Sequence, residues 1–205
     1  MYRSNIISRF YRDGDVVLGH DHGGTPGRLF SAQYVDPLLE LLEYNEGKGV
    51  YWAATVDDPF TILVDFKDKE EETLGALIKA LAPLHEKGYL SHVADGKLVE
   101  SKITIVASGF AEFDDINALE DRHIFMDAVI TDLEAHDYNE LNAYYASVNW
   151  GSAKDVDAEI AAAHELGLKV RYYKIKENEW EDLSARGVDR LNADDLANTA
   201  RLPRM

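Results

Sequence analysis

Apolar runs of strand length alternate along this chain with longer segments whose apolar residues recur every three or four positions. Thr61–Phe66 contains three consecutive aliphatic residues, typical of a strand buried on both faces. Glu70–Lys87 has its apolar residues on one helix face, at positions 74, 77, 78, 81 and 84. Gly167 follows the helical pattern of Ala153–Leu166 and predicts where that helix ends.

The same criteria predict the remaining elements and indicate how they connect. Strands are expected at Val16–Leu18, Ile103–Val106, His123–Met126, Ala143–Val148, Leu168–Tyr173 and Val188–Leu191, and helices at Tyr34–Leu42 and Glu179–Arg186. Alternating strands and helices imply parallel strands joined by right-handed crossovers. No glycine-rich nucleotide-binding motif follows a strand, which favours a barrel over a doubly wound sheet. We therefore predict one α/β barrel domain over residues 1–205.

Composition and charge exclude several classes of function for this chain. The 205 residues carry 38 Asp and Glu against 21 Lys and Arg, a net charge of −17. This charge argues against binding to nucleic acids or anionic membranes. There is no cysteine, which excludes disulfides and thiolate chemistry. The sequence shows no membrane-spanning run and no signal peptide, so we expect a cytoplasmic protein, or a secreted one if an upstream segment is missing.

The first residues that suit phosphate chemistry are an acid and a base at the end of the predicted strand Thr61–Phe66. Strand alternation places Asp65 and Lys67 on one side, with Phe66 on the other. A carboxylate there can ligate Mg²⁺ or Ca²⁺, and the ammonium group can neutralise a phosphate oxygen. An ion pair between Asp65 and Lys67 that needs no ligand is an equal alternative.

Two further residues are candidates on their own chemistry. His20, within a glycine-flanked His-Asp-His sequence, could act as a general acid or base, or simply lie in a turn-rich loop. A zinc site is less favoured, because no other histidine pair has ligand spacing. Arg171, on a predicted late strand, suits bidentate phosphate recognition, whereas an exposed arginine on a strand edge is the alternative.

Taken in order, these motifs resemble the phospholipase C-like phosphodiesterases, a superfamily of (β/α)₈ barrels that includes the glycerophosphodiester phosphodiesterases. The similarity is greatest to the branch named altered inheritance of mitochondria protein 6. It extends from about Ser4 to Ala197. The segments that carry it are Asp13–Asp21, Leu63–Lys67, Ala107–Gly109, Arg122–Asp127, Tyr145–Val148, Gly167–Arg171 and Gly187–Leu196.

The resemblance implies roles for the candidate residues. His20 matches the second of two catalytic histidines, and Lys67 matches a lysine that contacts the phosphate. Asp65 matches a ligand of the divalent cation, Mg²⁺ or Ca²⁺. Arg171 is expected to bind substrate on its own chemistry, as a bidentate partner of phosphate. The implied substrate is a small phosphodiester or a phospholipid head group, cleaved by metal-assisted acid–base chemistry.

The chain also departs from the family pattern. The family's first strand supplies another catalytic histidine, and nothing before Met1 provides it. Counting back from His20 places the family's Glu-x-Asp ligand pair on Ile6 and Ser8. We therefore expect a barrel lacking its first strand, with a weak or absent cation site and an open edge available for self-association.

Three functions remain open from the sequence. The chain could be a metal-dependent phosphodiesterase of lipid or glycerophosphodiester metabolism. It could be an inactive relative that binds a phosphorylated ligand or serves as a scaffold. A third reading is an acidic interaction module, in which His20, Asp65 and Lys67 would not converge.

Overall fold

The computed structural model describes residues 4–12, 15–19, 28–45, 50, 59–67 and 71–192 of the chain. The chain divides into two compact units, and the boundary falls between Met126 and Asp127. Among the described residues, no helix is long and apolar enough to cross a lipid bilayer.

The described residues form ten strands and five α-helices. The strands are β1 (Ser4–Arg12), β2 (Asp15–Leu18), β3 (Phe60–Phe66), β4 (His92–Ala94), β5 (Lys97–Val99), β6 (Ile103–Gly109), β7 (Ile124–Val129), β8 (Ala143–Asn149), β9 (Lys169–Tyr173) and β10 (Arg190–Leu191). The helices are α1 (Asp36–Tyr44), α2 (Glu71–Glu86), α3 (Phe113–Asn117), α4 (Val156–Glu165) and α5 (Trp180–Ala185). Most boundaries lie within a few residues of those expected from the apolar pattern.

The first unit contains a sheet in which β1, β3, β6 and the start of β7 run parallel. Its apolar interior includes the aliphatic run of β3 and the predicted face of α2, where Leu77, Leu81 and Leu84 are fully buried. One expectation was wrong: β2 pairs antiparallel with β1. Only two residues separate these strands, and so short a link permits a hairpin but not a parallel crossover.

Two features of the first unit were not expected from the sequence. β1 is a nine-residue strand in a segment that we had not assigned to any element. β4 and β5 form a separate antiparallel hairpin. β1 carries too many polar residues for apolar periodicity to identify it, and β4 and β5, with three residues each, are too short to show a period.

The second unit contains the parallel strands β8, β9 and β10 with α4 and α5 between them. Gly167 ends α4 in the left-handed region at φ +75°, as its position predicted. Tyr172 of β9 is fully buried and donates a 2.6 Å hydrogen bond to Glu159 of α4. Burial and this bond raise the pKa of Tyr172, so the hydroxyl remains a donor that links α4 to β9.

Candidate functional site

Asp65 and Lys67 form an ion pair at the carboxyl end of β3. The buried run Ile62–Val64 fixes the strand, and Asp65 and Lys67 follow it at alternate positions. Lys67 Nζ lies 2.5 Å from Asp65 Oδ2, which confirms that the two side chains lie on one side. The side chains are 26% exposed for Asp65 and 30% for Lys67, so solvent or a ligand can reach the pair.

The second carboxylate oxygen of Asp65 has unused acceptor capacity. Asp65 Oδ1 is inaccessible to solvent and has no hydrogen-bond partner among the residues that the structure describes. An ionised carboxylate oxygen left without a donor is costly, and a bound cation would remove that cost. This oxygen is the feature of the first unit that fits the cation implied by the family resemblance.

Gly109, at the end of β6, approaches this carboxylate closely. It pairs with Phe66 in the parallel register and has φ +72°, a backbone conformation that favours glycine. A Cβ atom at Gly109 would collide with Asp65 Oδ1 and with the Phe66 carbonyl oxygen. The absence of a side chain at Gly109 therefore allows Asp65 to occupy its position.

We predict that Gly109→Ala lowers the free energy of unfolding by about 1–3 kcal/mol, because it combines overpacking with left-handed strain. Urea denaturation would measure the change. The matched control is Gly75→Ala in α2, where a new Cβ meets nothing within 4 Å. Equal stability of Gly109→Ala and the unchanged chain would show that β3 and β6 can separate here at little cost.

Arg171 lies within a buried polar cluster of the second unit. Arg171 Nη1 donates to Asp127 Oδ2 and to Ser147 Oγ, each at 3.0 Å. Ser147 Oγ also donates a short hydrogen bond to Asp127 Oδ1. The arginine and aspartate side chains are only 7% and 4% exposed. The alternative of an exposed arginine on a strand edge is therefore wrong, since β9 lies between β8 and β10.

Part of the Arg171 guanidinium is still available to an anion. Its Nε is buried and has no hydrogen-bond partner in the described parts of the chain. The group also lies over the Tyr173 ring, 5.1 Å from its centroid. The substrate-binding role expected for Arg171 therefore falls to the guanidinium nitrogens other than Nη1, because Nη1 already serves Asp127 and Ser147.

His20, the expected general acid, lies outside the described residues. The expected positions of the Glu-x-Asp ligand pair, Ile6 and Ser8, lie on β1, and the register of β1 against β3 shows which residues they face. Ile7 pairs with Asp65, whereas Ile6 and Ser8 pair with Val64 and Phe66. The strand beside Asp65 thus contributes no carboxylate at any of these three positions.

A second cluster with metal-ligand chemistry, absent from our expectations, lies in the first unit. One ligating atom each from His85, Asp121 and His123 lies within 4.8 Å of the other two. Burial lowers the pKa of His123, and the adjacent His85 imidazole lowers it further. Spacing did not reveal this group because His85 belongs to α2 and the other two residues precede β7.

A family model described as the AIM6-like phosphodiesterase domain matches residues 8–127 of the chain. The chain belongs to this family. The altered inheritance of mitochondria protein 6 homolog of Arthroderma benhamiae is 22% identical over 222 residues, which cover 91% of this chain and 70% of that protein. The resemblance inferred from the sequence motifs is therefore confirmed.

A solved structure shows the same fold. The crystal structure of a glycerophosphodiester phosphodiesterase from Thermotoga maritima matches with a TM-score of 0.53 and 12% sequence identity. The match covers 97% of the AIM6-like chain and 84% of the Thermotoga protein. This likeness confirms the α/β fold of the glycerophosphodiester phosphodiesterases.

Proposed function

We propose that the chain hydrolyses a small phosphodiester at the carboxyl end of β3, within a (β/α)₈-type domain. One observation carries the proposal. Asp65 Oδ1, which is buried and has no partner among the described residues, belongs to the carboxylate whose other oxygen holds Lys67 at 2.5 Å. This arrangement offers an anionic oxygen to a cation and an ammonium group to a phosphate oxygen, side by side.

Each residue of the proposed site has a distinct task. Asp65 orients Lys67 through Oδ2 and keeps Oδ1 for the divalent cation. Lys67 neutralises a phosphate oxygen and holds the diester against the end of β3. Bound Mg²⁺ or Ca²⁺ would supply additional positive charge for the phosphate. His20, assigned by the family resemblance, gives a proton to the leaving oxygen as general acid.

The proposed substrate is a glycerophosphodiester or a phospholipid head group. The support is the family, whose members are described as phosphodiesterases, and the fold of a glycerophosphodiester phosphodiesterase. The role proposed for Arg171 is anion binding through the guanidinium nitrogens other than Nη1, among them Nε, which has no partner among the described residues.

A second candidate function is binding of a phosphorylated ligand without turnover. It is favoured by the register of β1, in which Ile6, Ile7 and Ser8 occupy the strand positions beside Asp65. Mg²⁺ and Ca²⁺ are usually held by several oxygen ligands, so a site with one protein carboxylate supports binding of a phosphorylated ligand rather than efficient catalysis.

The experiment is turnover of bis(p-nitrophenyl) phosphate by the full chain with Mg²⁺, with Ca²⁺ and with EDTA. We expect EDTA-sensitive hydrolysis that His20→Ala reduces about 100-fold, the scale of a lost general acid. His136→Ala, which changes an exposed histidine, is the matched control and should retain activity.

Two other outcomes decide against hydrolysis. Absence of turnover, together with calorimetric binding of glycerol phosphate that Lys67→Met abolishes, would establish the binding function instead. Absence of both turnover and binding would reject both phosphate functions and leave the acidic interaction module.

A further inference from the structure

The His85–Asp121–His123 cluster connects the end of a helix to the start of a strand. His85 lies in the last turn of α2, and Asp121 and His123 precede β7 directly. His85 Nε2 is 3.5 Å from Asp121 Oδ2. Two ligands of a tetrahedral zinc ion with bonds of about 2.0–2.1 Å lie about 3.3 Å apart, so this spacing is close to that of a ligand pair.

His123 provides independent evidence for a ligand. The residue is 5% exposed, and its Nδ1 lies 2.9 Å from the Asp121 carbonyl oxygen, to which Nδ1–H donates. This tautomer leaves the lone pair on Nε2, which is buried and has no partner within the described ranges. Metal-binding histidines have the same arrangement, with one nitrogen fixed by a carbonyl group and the other directed at the ion.

The donor set identifies the class of ion. Two imidazoles and one carboxylate suit Zn²⁺ and neighbouring transition metals, whereas Mg²⁺ and Ca²⁺ prefer oxygen ligands alone. Three protein ligands also leave one position of a tetrahedral zinc ion for water.

Binding requires a side-chain movement that the structure permits. The two imidazole rings are stacked, with centroids 4.3 Å apart and planes inclined by 16°. A ligated ion lies in the plane of each ring, so one ring must rotate away from this stack. His85 and Asp121 can move, because their side chains are 31% and 69% exposed, while buried His123 stays in place.

We propose that His85, Asp121 and His123 form a Zn²⁺-type site that joins the end of α2 to the start of β7. This site is separate from the proposed phosphodiester site. His123 precedes the amino end of β7, whereas Asp65 lies at the carboxyl end of β3, and β3, β6 and β7 are parallel. The inference therefore does not rest on the proposed function.

The test is calorimetric titration of Zn²⁺ into the EDTA-treated, dialysed full chain, with the visible spectrum of bound Co²⁺ as a report on ligation. We expect one saturable Zn²⁺ ion per chain, a tetrahedral Co²⁺ spectrum and a raised Tm. Mg²⁺ and Ca²⁺ should not compete with Zn²⁺ for this site.

Variants assign the ion to the cluster. Asp121→Asn changes an exposed side chain and His85→Gln a partly exposed one at the end of α2, and each should weaken Zn²⁺ binding about 100-fold or more. His136→Gln, together with the double variant His20→Ala and His22→Ala, should leave Zn²⁺ affinity unchanged. Absence of saturable binding, unchanged affinity in His85→Gln and Asp121→Asn, or loss of binding on removal of His20 and His22 would overturn the proposal.

Discussion

Asp127→Asn should lower the free energy of unfolding by about 3–5 kcal/mol, the usual cost of removing one partner from a buried ion pair. The substitution preserves shape but leaves the Arg171 guanidinium charge uncompensated where only 7% of its side chain is exposed. Ser147 remains as a hydrogen-bond partner of Arg171 Nη1, but a hydroxyl group does not neutralise the charge. Urea denaturation followed by circular dichroism measures the change as a lower midpoint.

A control and a double variant separate charge burial from other causes. Asp157→Asn removes the partner of Arg186 in an ion pair whose Asp157 side chain is 75% exposed, so the midpoint should stay nearly constant. Asp127→Leu with Arg171→Met should recover most of the loss, because a well-packed apolar pair avoids the desolvation of both ions. A double variant as unstable as Asp127→Asn would show that the cluster contributes through its hydrogen bonds instead.

The sequence predicted the elements whose type can be read from the apolar and polar residues within the same short segment. The aliphatic run at Thr61–Phe66 became β3 almost without change, and Gly167 ends α4 as expected. The Asp65–Lys67 pair was also predictable, since residues two apart on a strand share a side. β1 was missed because its polar residues give no periodic signal.

The remaining site features depend on contacts between residues far apart in sequence. Asp127 and Arg171 lie 44 positions apart and meet only because their strands belong to one unit. Gly109 reaches Asp65 through the register of β3 and β6. His85 meets His123 because α2 runs back from the carboxyl end of β3 to the edge where the strands begin. A single sequence contains the residues that make these contacts, but it does not show the strand register and helix direction that bring them together.

Under the proposed function, the largest effect on activity is expected from Asp65→Asn, which should reduce hydrolysis of a phosphodiester about 1000-fold. The substitution weakens cation binding and removes the charge that orients Lys67, so two electrostatic contributions to the reaction are lost together. Stability should change by only about 0–1 kcal/mol, because the pair is partly exposed. Steady-state kinetics and urea denaturation of the same preparation test both statements.

Control variants distinguish a catalytic role of the Asp65–Lys67 pair from a structural one. Glu43→Gln, which breaks the exposed pair with Lys87 in the same unit, should change neither activity nor stability appreciably. Lys67→Met should lower kcat as well as raise KM, because negative charge on the phosphoryl oxygens increases toward the transition state. A rise in KM alone would assign Lys67 to ground-state binding. A loss of stability in Asp65→Asn as large as that in Asp127→Asn would instead make the Asp65–Lys67 pair a structural one.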